Sequence, residues 1–162
     1  MATQAIRAIE IALGSPFWSW ENEEAATQTY LRGAVVIYSA GYVQEASTDP
    51  ADILGIALRA GQNGDAAGDK RANFVPLLPG TVIEANLAQA AANTVSAATD
   101  VGKAYGLVKR TSGTAHWVID SAETSSTRCR IIGFVGGKPK VGDTNARVYA
   151  VVFAANLDFA AA

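Results

Sequence analysis

A single histidine, a single cysteine and a few carboxylates are the residues of this chain whose types could support chemistry. His116 could act as a general base or as a metal ligand. A metal site needs several ligands at compatible spacing, and a histidine-activated nucleophile needs a serine or cysteine presented on a sharp turn. The sequence around His116 has neither pattern, and Trp117 follows it in a predicted strand. We therefore predict a structural or surface role for His116.

Cys129 lies between Arg128 and Arg130, and neighbouring cations could lower the pKa of its thiol. In a strand, however, successive side chains point to opposite faces, so both arginines would lie across the sheet from the sulfur. The pattern favours a buried, unreactive cysteine. A lone cysteine also leaves no intramolecular disulfide and no thiolate metal cluster to expect.

Three carboxylates, Asp120, Glu123 and Asp143, could serve in acid–base chemistry if two of them converged. Each lies at the end of a predicted strand or in a turn, where short polar side chains commonly bond to the backbone. The sequence therefore predicts turn residues at these positions, and we expect the protein not to be an enzyme.

Two glycine-rich segments resemble ligand loops only superficially. Asn63, Asp65 and Asp69 lack the alternating ligands and the final glutamate of a calcium loop, so residues 61–72 are predicted to be a solvent-facing, mobile loop. The segment from Gly136 to Lys140 lacks the P-loop spacing, and Pro139 has no backbone N–H to offer a phosphate. No cofactor and no metal are expected.

The composition excludes several classes of partner. The 162 residues carry a net charge of −2 with no dense run of lysine or arginine, so nucleic-acid binding is not expected. No apolar run approaches the roughly 20 residues that span a bilayer, and the first residues lack the basic segment followed by an apolar one that is typical of a secretory signal, so we expect synthesis in the cytoplasm and no membrane. Charged residues make up 17%, below the usual quarter or so, which favours a surface partly covered by a partner.

From Gly33 onward the pattern is that of β-structure. About nine short runs of apolar and β-branched residues alternate with turn signals, the spacing expected of a β-sandwich or a small barrel. Examples of the turns are Gly41, Asp49-Pro50 and Pro79-Gly80. The sequence predicts a single mainly β domain over residues 33–162.

Residues 1–32 differ from the rest and are predicted to form an N-terminal arm. Phe17, Trp18 and Trp20 concentrate three aromatic side chains within four positions, next to Pro16. Aromatic anchors of this kind dominate many protein contacts, so these three are predicted to contact a neighbouring subunit or a substrate shell. The alternative is a flap that packs on its own domain.

The order of motifs along residues 33–153 resembles that of the decoration, or cement, proteins that coat the heads of tailed bacteriophages. The matching motifs are Gly33-Ala-Val-Val, Gly41-Tyr-Val, Ile53-Leu-Gly-Ile-Ala, Val75-Pro-Leu-Leu-Pro-Gly, Asp100-Val-Gly-Lys-Ala-Tyr105 and Val141-Gly-Asp-Thr-Asn-Ala-Arg-Val148.

The resemblance implies a β-barrel or β-tulip-like body, commonly a homotrimer, bound to the exterior of the virion. Such proteins join an expanded capsid whose major capsid protein has the HK97-type fold, and they stabilise it by clamping adjacent subunits. No catalytic residues come with the family.

Three other interpretations stay open. A β-sandwich carbohydrate-binding module would present exposed aromatic side chains in a row, for which Trp117 and Tyr105 are the candidates in the body. A tail or head-fibre component would assemble into rings or fibres instead of trimers. A hydrolase using Asp120 or Asp143 is the least favoured reading.

Overall fold

The computed structural model describes residues 1–14, 19–136 and 141–158, which form a mainly β protein. Two short 3-10 helices, Ala98–Asp100 and Ala154–Asn156, are its helical elements within these ranges. The strands are β1 (Glu10–Leu13), β2 (Trp20–Glu23), β3 (Val35–Ser39), β4 (Tyr42–Glu45), β5 (Gly55–Ala57), β6 (Arg71–Pro76), β7 (Val82–Ala88), β8 (Ala104–Lys109), β9 (Trp117–Asp120), β10 (Cys129–Phe134) and β11 (Arg147–Val152).

Five of the strands close into a barrel. They follow the order β7-β11-β10-β8-β9, and a parallel pairing of β9 with β7 completes the ring. The other pairs in the barrel are antiparallel. β1 adds to the first half of β7 as a sixth strand outside the ring. The predicted β-barrel is thereby confirmed.

A second sheet contains the remaining five strands, in the order β2-β6-β5-β3-β4. All of its pairs are antiparallel. Just beyond β2, Glu24 bridges Val43 of β4, and the Ala25 amide donates to the Val43 carbonyl at 2.9 Å. This sheet therefore curls until its two outer strands meet at one end.

The two sheets share one hydrophobic core. Its fully buried members come from the barrel, as with Ile83 and Trp117, and from the second sheet, as with Phe74 and Val36. Tyr30, from the segment before β3, is also buried in it. Because burying each large side chain contributes roughly 1.5–3 kcal/mol, this shared core is the main source of stability.

The predicted turns form as their residue types require. Ala40 and Gly41 both have positive φ, so the β3–β4 hairpin closes over two residues with Ser39 opposite Tyr42. At Pro79-Gly80, Gly80 has φ +86° and the Thr81 amide donates to the Leu78 carbonyl at 3.0 Å. These two turns explain why the flanking strands were predictable.

Each of the nine predicted runs contains one observed strand, and the two further strands, β1 and β2, lie in residues 1–32. The described part of the predicted arm is thus paired with both sheets of its own chain, β1 with β7 and β2 with β6. This arrangement matches the alternative of a flap that packs on its own domain. The boundary at residue 32 itself stays a prediction.

Two buried side chains hold the extended segment before β1 against the barrel. Arg147 donates from Nη1 to the Ala8 carbonyl at 2.9 Å and from Nε to Oε1 of Glu84, also at 2.9 Å. Asn86 accepts from the Arg7 amide at 3.0 Å and donates to the Ala5 carbonyl at 3.2 Å. The side chains thus supply the hydrogen bonds that a neighbouring strand would otherwise supply.

Candidate contact surface

Of the three predicted aromatic anchors, Trp20 is within the described part of the chain, and Phe17 and Trp18 lie outside it. Trp20 opens β2 opposite Phe74, and its side chain is 41% exposed. For a residue that usually buries most of its surface, this exposed fraction is large.

The connection that carries the anchors joins the two sheets. At its start, Leu13 of β1 is 70% exposed, and the Gly14 carbonyl accepts a bond from Oγ1 of Thr81 at 3.2 Å. At its end, Ser19 lies against Asn73 of β6, with Oγ and Nδ2 3.5 Å apart. Both ends of the connection are therefore fixed to the body, with an exposed apolar side chain beside each.

A cleft of about 370 Å³ lies between β1 and the second sheet. We call it the β1–β5 cleft. It is lined by Ile9, Glu10, Ile11, Arg32, Val75 and residues 56–58. Its volume is in the range of sites that hold small ligands or side chains. Leu58, which is 38% exposed, provides an apolar rim.

The two charged residues of the cleft differ in their partners. Oε2 of Glu10 lies 3.9 Å from Nη2 of Arg147, so this carboxylate already has a cation beside it. The Arg32 guanidinium makes no hydrogen bond or ion pair with the described residues. The cleft thus combines apolar walls with a cation that has no acidic partner within the described ranges.

The predicted loop at residues 61–72 is fastened along one side. The Gly61 and Asn63 amides donate to carbonyls of Tyr30 and Gln28, each at 2.9 Å. The buried Glu24 carboxylate accepts from the Gln62 amide at 2.8 Å and from the Tyr30 hydroxyl at 2.7 Å. Residues 65–67, at the tip of this loop, face solvent, as predicted.

The tip of this loop is a secondary candidate contact surface because its residues are exposed. Asp65, Ala66 and Ala67 are all exposed. Oδ2 of Asp69 accepts a bond from the Ala66 amide at 2.8 Å, which holds the tip in a local turn. Asp69 is therefore engaged in turn formation within this loop.

The histidine and the cysteine occupy the structural positions predicted for them. Cys129 is fully buried, and burial raises the pKa of its thiol to about 12, so it stays protonated and unreactive. His116 is partly buried, and burial together with the charge of Arg147 lowers its pKa. The His116 Nδ1 atom is buried without a hydrogen-bond partner among the described residues.

The three candidate carboxylates are bonded to backbone amides, locally as predicted for turn residues at Asp120 and Glu123, and to a distant part of the chain at Asp143. Asp120 accepts from the Ala122 amide at 2.9 Å, and Asp143 accepts from the Ala2 amide at 2.9 Å. Glu123 accepts from the Ser125 hydroxyl and from the Ser125 and Ser126 amides, and these bonds lower its pKa.

The structure also brings Asp49 next to Glu123, a proximity that the sequence did not indicate. The two flank Gly106, and burial raises the pKa of the Asp49 carboxyl. Oδ1 of Asp49 accepts from the Leu107 amide at 2.7 Å, so this carboxylate has a structural partner. Within the described ranges, no group of three or more histidine, cysteine or acidic side chains could hold a metal ion.

The aromatic side chains that would have formed a carbohydrate platform are buried. Trp117 is 1% exposed, and its Nε1 donates to Oε1 of Glu45 at 2.9 Å. Tyr105 is 4% exposed, and its hydroxyl donates to Oδ1 of Asp100 at 2.9 Å. Neither ring can stack on a sugar at the surface, so these two residues do not form the exposed aromatic row that would favour a carbohydrate-binding module.

Comparisons with known proteins add no identification. No protein-family model matches the sequence, and no curated protein matches it either. The described residues include no helix that is long and apolar enough to cross a membrane. The fold therefore defines the protein only as a mainly β protein built from a closed barrel and a second sheet.

The β1–β5 cleft is the part of the candidate site that sequence reasoning missed. Its residues come from four separate stretches of the chain, and only the pairing of strands brings them together. One local signal was present, because Ile9, Ile11 and Leu13 alternate with other residues as in a strand. That signal could have indicated β1, but not its neighbour across the cleft.

Proposed function

We propose that this protein is a structural virion protein that binds the exterior of an expanded phage capsid. It stabilises the shell by clamping adjacent major-capsid subunits of the HK97-type fold. The observation that carries the proposal is the pair of exposed apolar side chains, Leu13 and Trp20, at the two fixed ends of one connection. The order of motifs that resembles the decoration proteins supplies the class of partner.

An apolar surface held on a rigid body suits this function. Large exposed apolar side chains are the usual anchors of protein interfaces, and a fixed backbone lowers the entropy that binding costs. A chain with 17% charged residues also has fewer charges to desolvate when a partner covers it. The connection between β1 and β2 is therefore the proposed capsid contact.

Selectivity for the expanded shell would arise from geometry. A site that spans several capsid subunits is complete only after maturation has moved them into place, so affinity differs between the two shell forms. In the proposed homotrimer each contact is repeated three times. Because the three contacts are linked, the trimer binds the shell much more tightly than a single contact would.

The test is co-sedimentation of the purified protein with expanded and unexpanded empty shells of its phage. We expect saturable binding to expanded shells only, and at least a tenfold weaker affinity for Trp20→Ser and Leu13→Ser. The matched control is Ile132→Ser, since Ile132 is 49% exposed on β10, outside the connection.

Absence of binding to either shell would overturn the proposal. Rings or fibres of the isolated protein in electron micrographs would then favour the tail or head-fibre reading. Binding to a glycan array would favour a carbohydrate-binding module. Equal losses for Ile132→Ser and Trp20→Ser would leave shell binding in place but remove the connection as its contact.

A further inference from the structure

The β1–β5 cleft has a free strand edge along one side. β1 is the last strand in the order of its sheet and pairs with β7 alone among the described strands. In an edge strand, the backbone N–H and C=O groups on the outer side point away from the sheet. Glu10 and Ile11 of this strand line the cleft.

The pairing of β1 with β7 is interrupted at one residue. The register runs from Ile11 opposite Ile83 directly to Leu13 opposite Val82, so Ala12 is the extra residue of a bulge. Ala12 is exposed. A change at this position can therefore alter the outer edge with little effect on the ladder to β7.

The walls of the cleft are suited to aliphatic side chains. Ile11, Ile56 and Val75 line it, with Leu58 at the rim. Side chains of an added strand alternate between two faces, so every second residue would point to the same wall. A strand laid along β1 would place these alternate side chains in the cleft.

The charge of Arg32 specifies one further feature of the occupant. A guanidinium without an acidic partner, next to apolar walls, is complementary to a carboxylate, and the pair is stronger where water is partly excluded. Glu10 does not fill this role in the structure, since its carboxylate faces Arg147 at 3.9 Å.

We propose that the β1–β5 cleft binds an extended polypeptide segment of a partner, which adds to the outer edge of β1. The segment places alternate aliphatic side chains in the cleft and one Asp or Glu carboxylate on Arg32. Backbone hydrogen bonds provide affinity in this mode of recognition, and the side-chain pockets provide specificity. This inference goes beyond the proposed function, because it holds whether or not the partner is a capsid protein.

The test is selection of a displayed library of random 12-residue peptides against the full chain, followed by titration of synthetic peptides that are enriched. We expect enriched sequences with alternating aliphatic residues and one acidic residue at a fixed position. In amide NMR spectra, the largest shifts on peptide addition should fall in β1.

Two variants and a control make the result specific. Arg32→Glu reverses the proposed charge contact, and Ala12→Pro removes a donor from the strand at its bulge. We expect each to weaken peptide binding at least tenfold while the far-UV spectrum stays unchanged. Lys70→Glu makes the same change in net charge on an exposed residue outside the cleft and should bind like the wild type.

Three results would overturn the inference. One is a selection without enrichment, and another is enriched peptides that bind Arg32→Glu as well as they bind the wild type. The third is saturable binding of sodium dodecanoate in the cleft without any peptide binding, which would make it a fatty-acid site. The assay contains no shells, so its failure and the failure of capsid binding are seen separately.

Discussion

Gly106 of β8 lies where a larger side chain does not fit. A Cβ atom at this position would be 2.1 Å from Oδ1 of Asp49 and 2.7 Å from Cγ of Glu123. The Asp49 atom is held in place by the Leu107 amide, to which it is hydrogen-bonded at 2.7 Å. The clash therefore involves a fixed group, and the backbone would have to move to relieve it.

We expect Gly106→Ala to lower the free energy of unfolding by about 2 kcal/mol, a value typical of an overpacked core. Urea unfolding followed by circular dichroism measures this change. The control is Gly133→Ala in β10, where a Cβ atom would meet nothing within 4 Å. A loss at Gly133 equal to that at Gly106 would show that strand conformation, rather than the clash, determines the cost.

The environment of His116 disfavours its charged form. Burial lowers the pKa of the imidazole below its usual 6.5, and the positive charge of Arg147 adds to this effect. An unfolded chain therefore takes up a proton at His116 at higher pH than the folded protein does. Above pH 6.5 the imidazole is neutral in both states and does not change the free energy of unfolding. Below pH 6.5 the unfolded chain binds the proton more readily, so the free energy of unfolding falls.

We expect the wild type to lose more thermal stability than His116→Gln between about pH 7.5 and about pH 5.5. The melting temperature at several pH values checks this prediction. Asp49 and Asp158 have raised pKa values and act in the opposite direction at lower pH, where the folded state is the first to take up their protons. Parallel declines in the two proteins would contradict the assignment to His116.

At the residue scale, the sequence predicted the burial and the turn roles of residues where these depend on the local pattern. The burial of Cys129 followed from strand alternation, and the turn roles of Asp120 and Glu123 followed from their residue types. The proximity of Asp49 to Glu123 was not predictable, because it depends on how a loop before β5 docks on the barrel. Contacts between residues that are far apart in the chain cannot be inferred from the local sequence around either residue.

Among the elements, the segment that precedes β1 depends on side chains for its position. Arg147 is 6% exposed and donates to carbonyls of Ala8 and Glu84 as well as to the Glu84 carboxylate. Removing the guanidinium would leave these acceptors buried or half-buried without their partner. Unsatisfied groups of this kind are costly, and those left with a charge are the most costly.

We expect Arg147→Met to lower the free energy of unfolding by about 3 kcal/mol, and amide exchange in residues 5–10 to accelerate. Chemical denaturation and hydrogen exchange with mass spectrometry give the two readouts. Arg130→Met is the control, since Arg130 is an exposed arginine of the neighbouring strand. Unchanged exchange in residues 5–10 would mean that the segment is held by other contacts.

The strands after residue 33 were predictable because glycine and proline turns separate them. β2 was not, since its sequence Trp-Glu-Asn-Glu has the burial pattern of an exposed strand and shows no apolar alternation. β1 has the alternation but is only four residues long. Because these two short strands on either side of Pro16 have so little pattern, residues 1–32 were predicted to form an arm.

On the scale of the whole molecule, Glu45 joins the two sheets. From β4 of the second sheet its carboxylate accepts bonds from Nζ of Lys109 at 2.6 Å and from Nε1 of Trp117 at 2.9 Å. Lys109 and Trp117 belong to β8 and β9 of the barrel. Together with the shared hydrophobic core, this contact couples the stability of one sheet to that of the other.

We expect the chain to unfold in a single cooperative transition. Urea curves from far-UV circular dichroism and from tryptophan fluorescence should coincide, with the same midpoint and slope. Glu45→Gln should shift both curves to lower urea by the same amount. Two separate midpoints would instead identify the barrel and the second sheet as independent folding units.

The class of fold, including a barrel, was predictable at this scale, but the strand pairings that close the barrel were not. The parallel pairing of β7 with β9 and the position of β1 beside β7 join strands that no turn connects. The β1–β5 cleft depends on the same pairings. Trp20 could be predicted as a contact residue from its type, whereas Arg32 gains its role only from the assembled sheets.

The hydrogen bonds between the two ends of the chain also constrain how the protein is made. The Ala2 amide bonds to Asp143, 141 residues further along the chain, and Ala8 bonds to Arg147. A ribosome exposes residues 2–8 well before residues 143–147, which hold them in place. The segment before β1 can therefore reach its final position only after residues 143–147 have emerged, so this part of the fold forms late relative to its own synthesis.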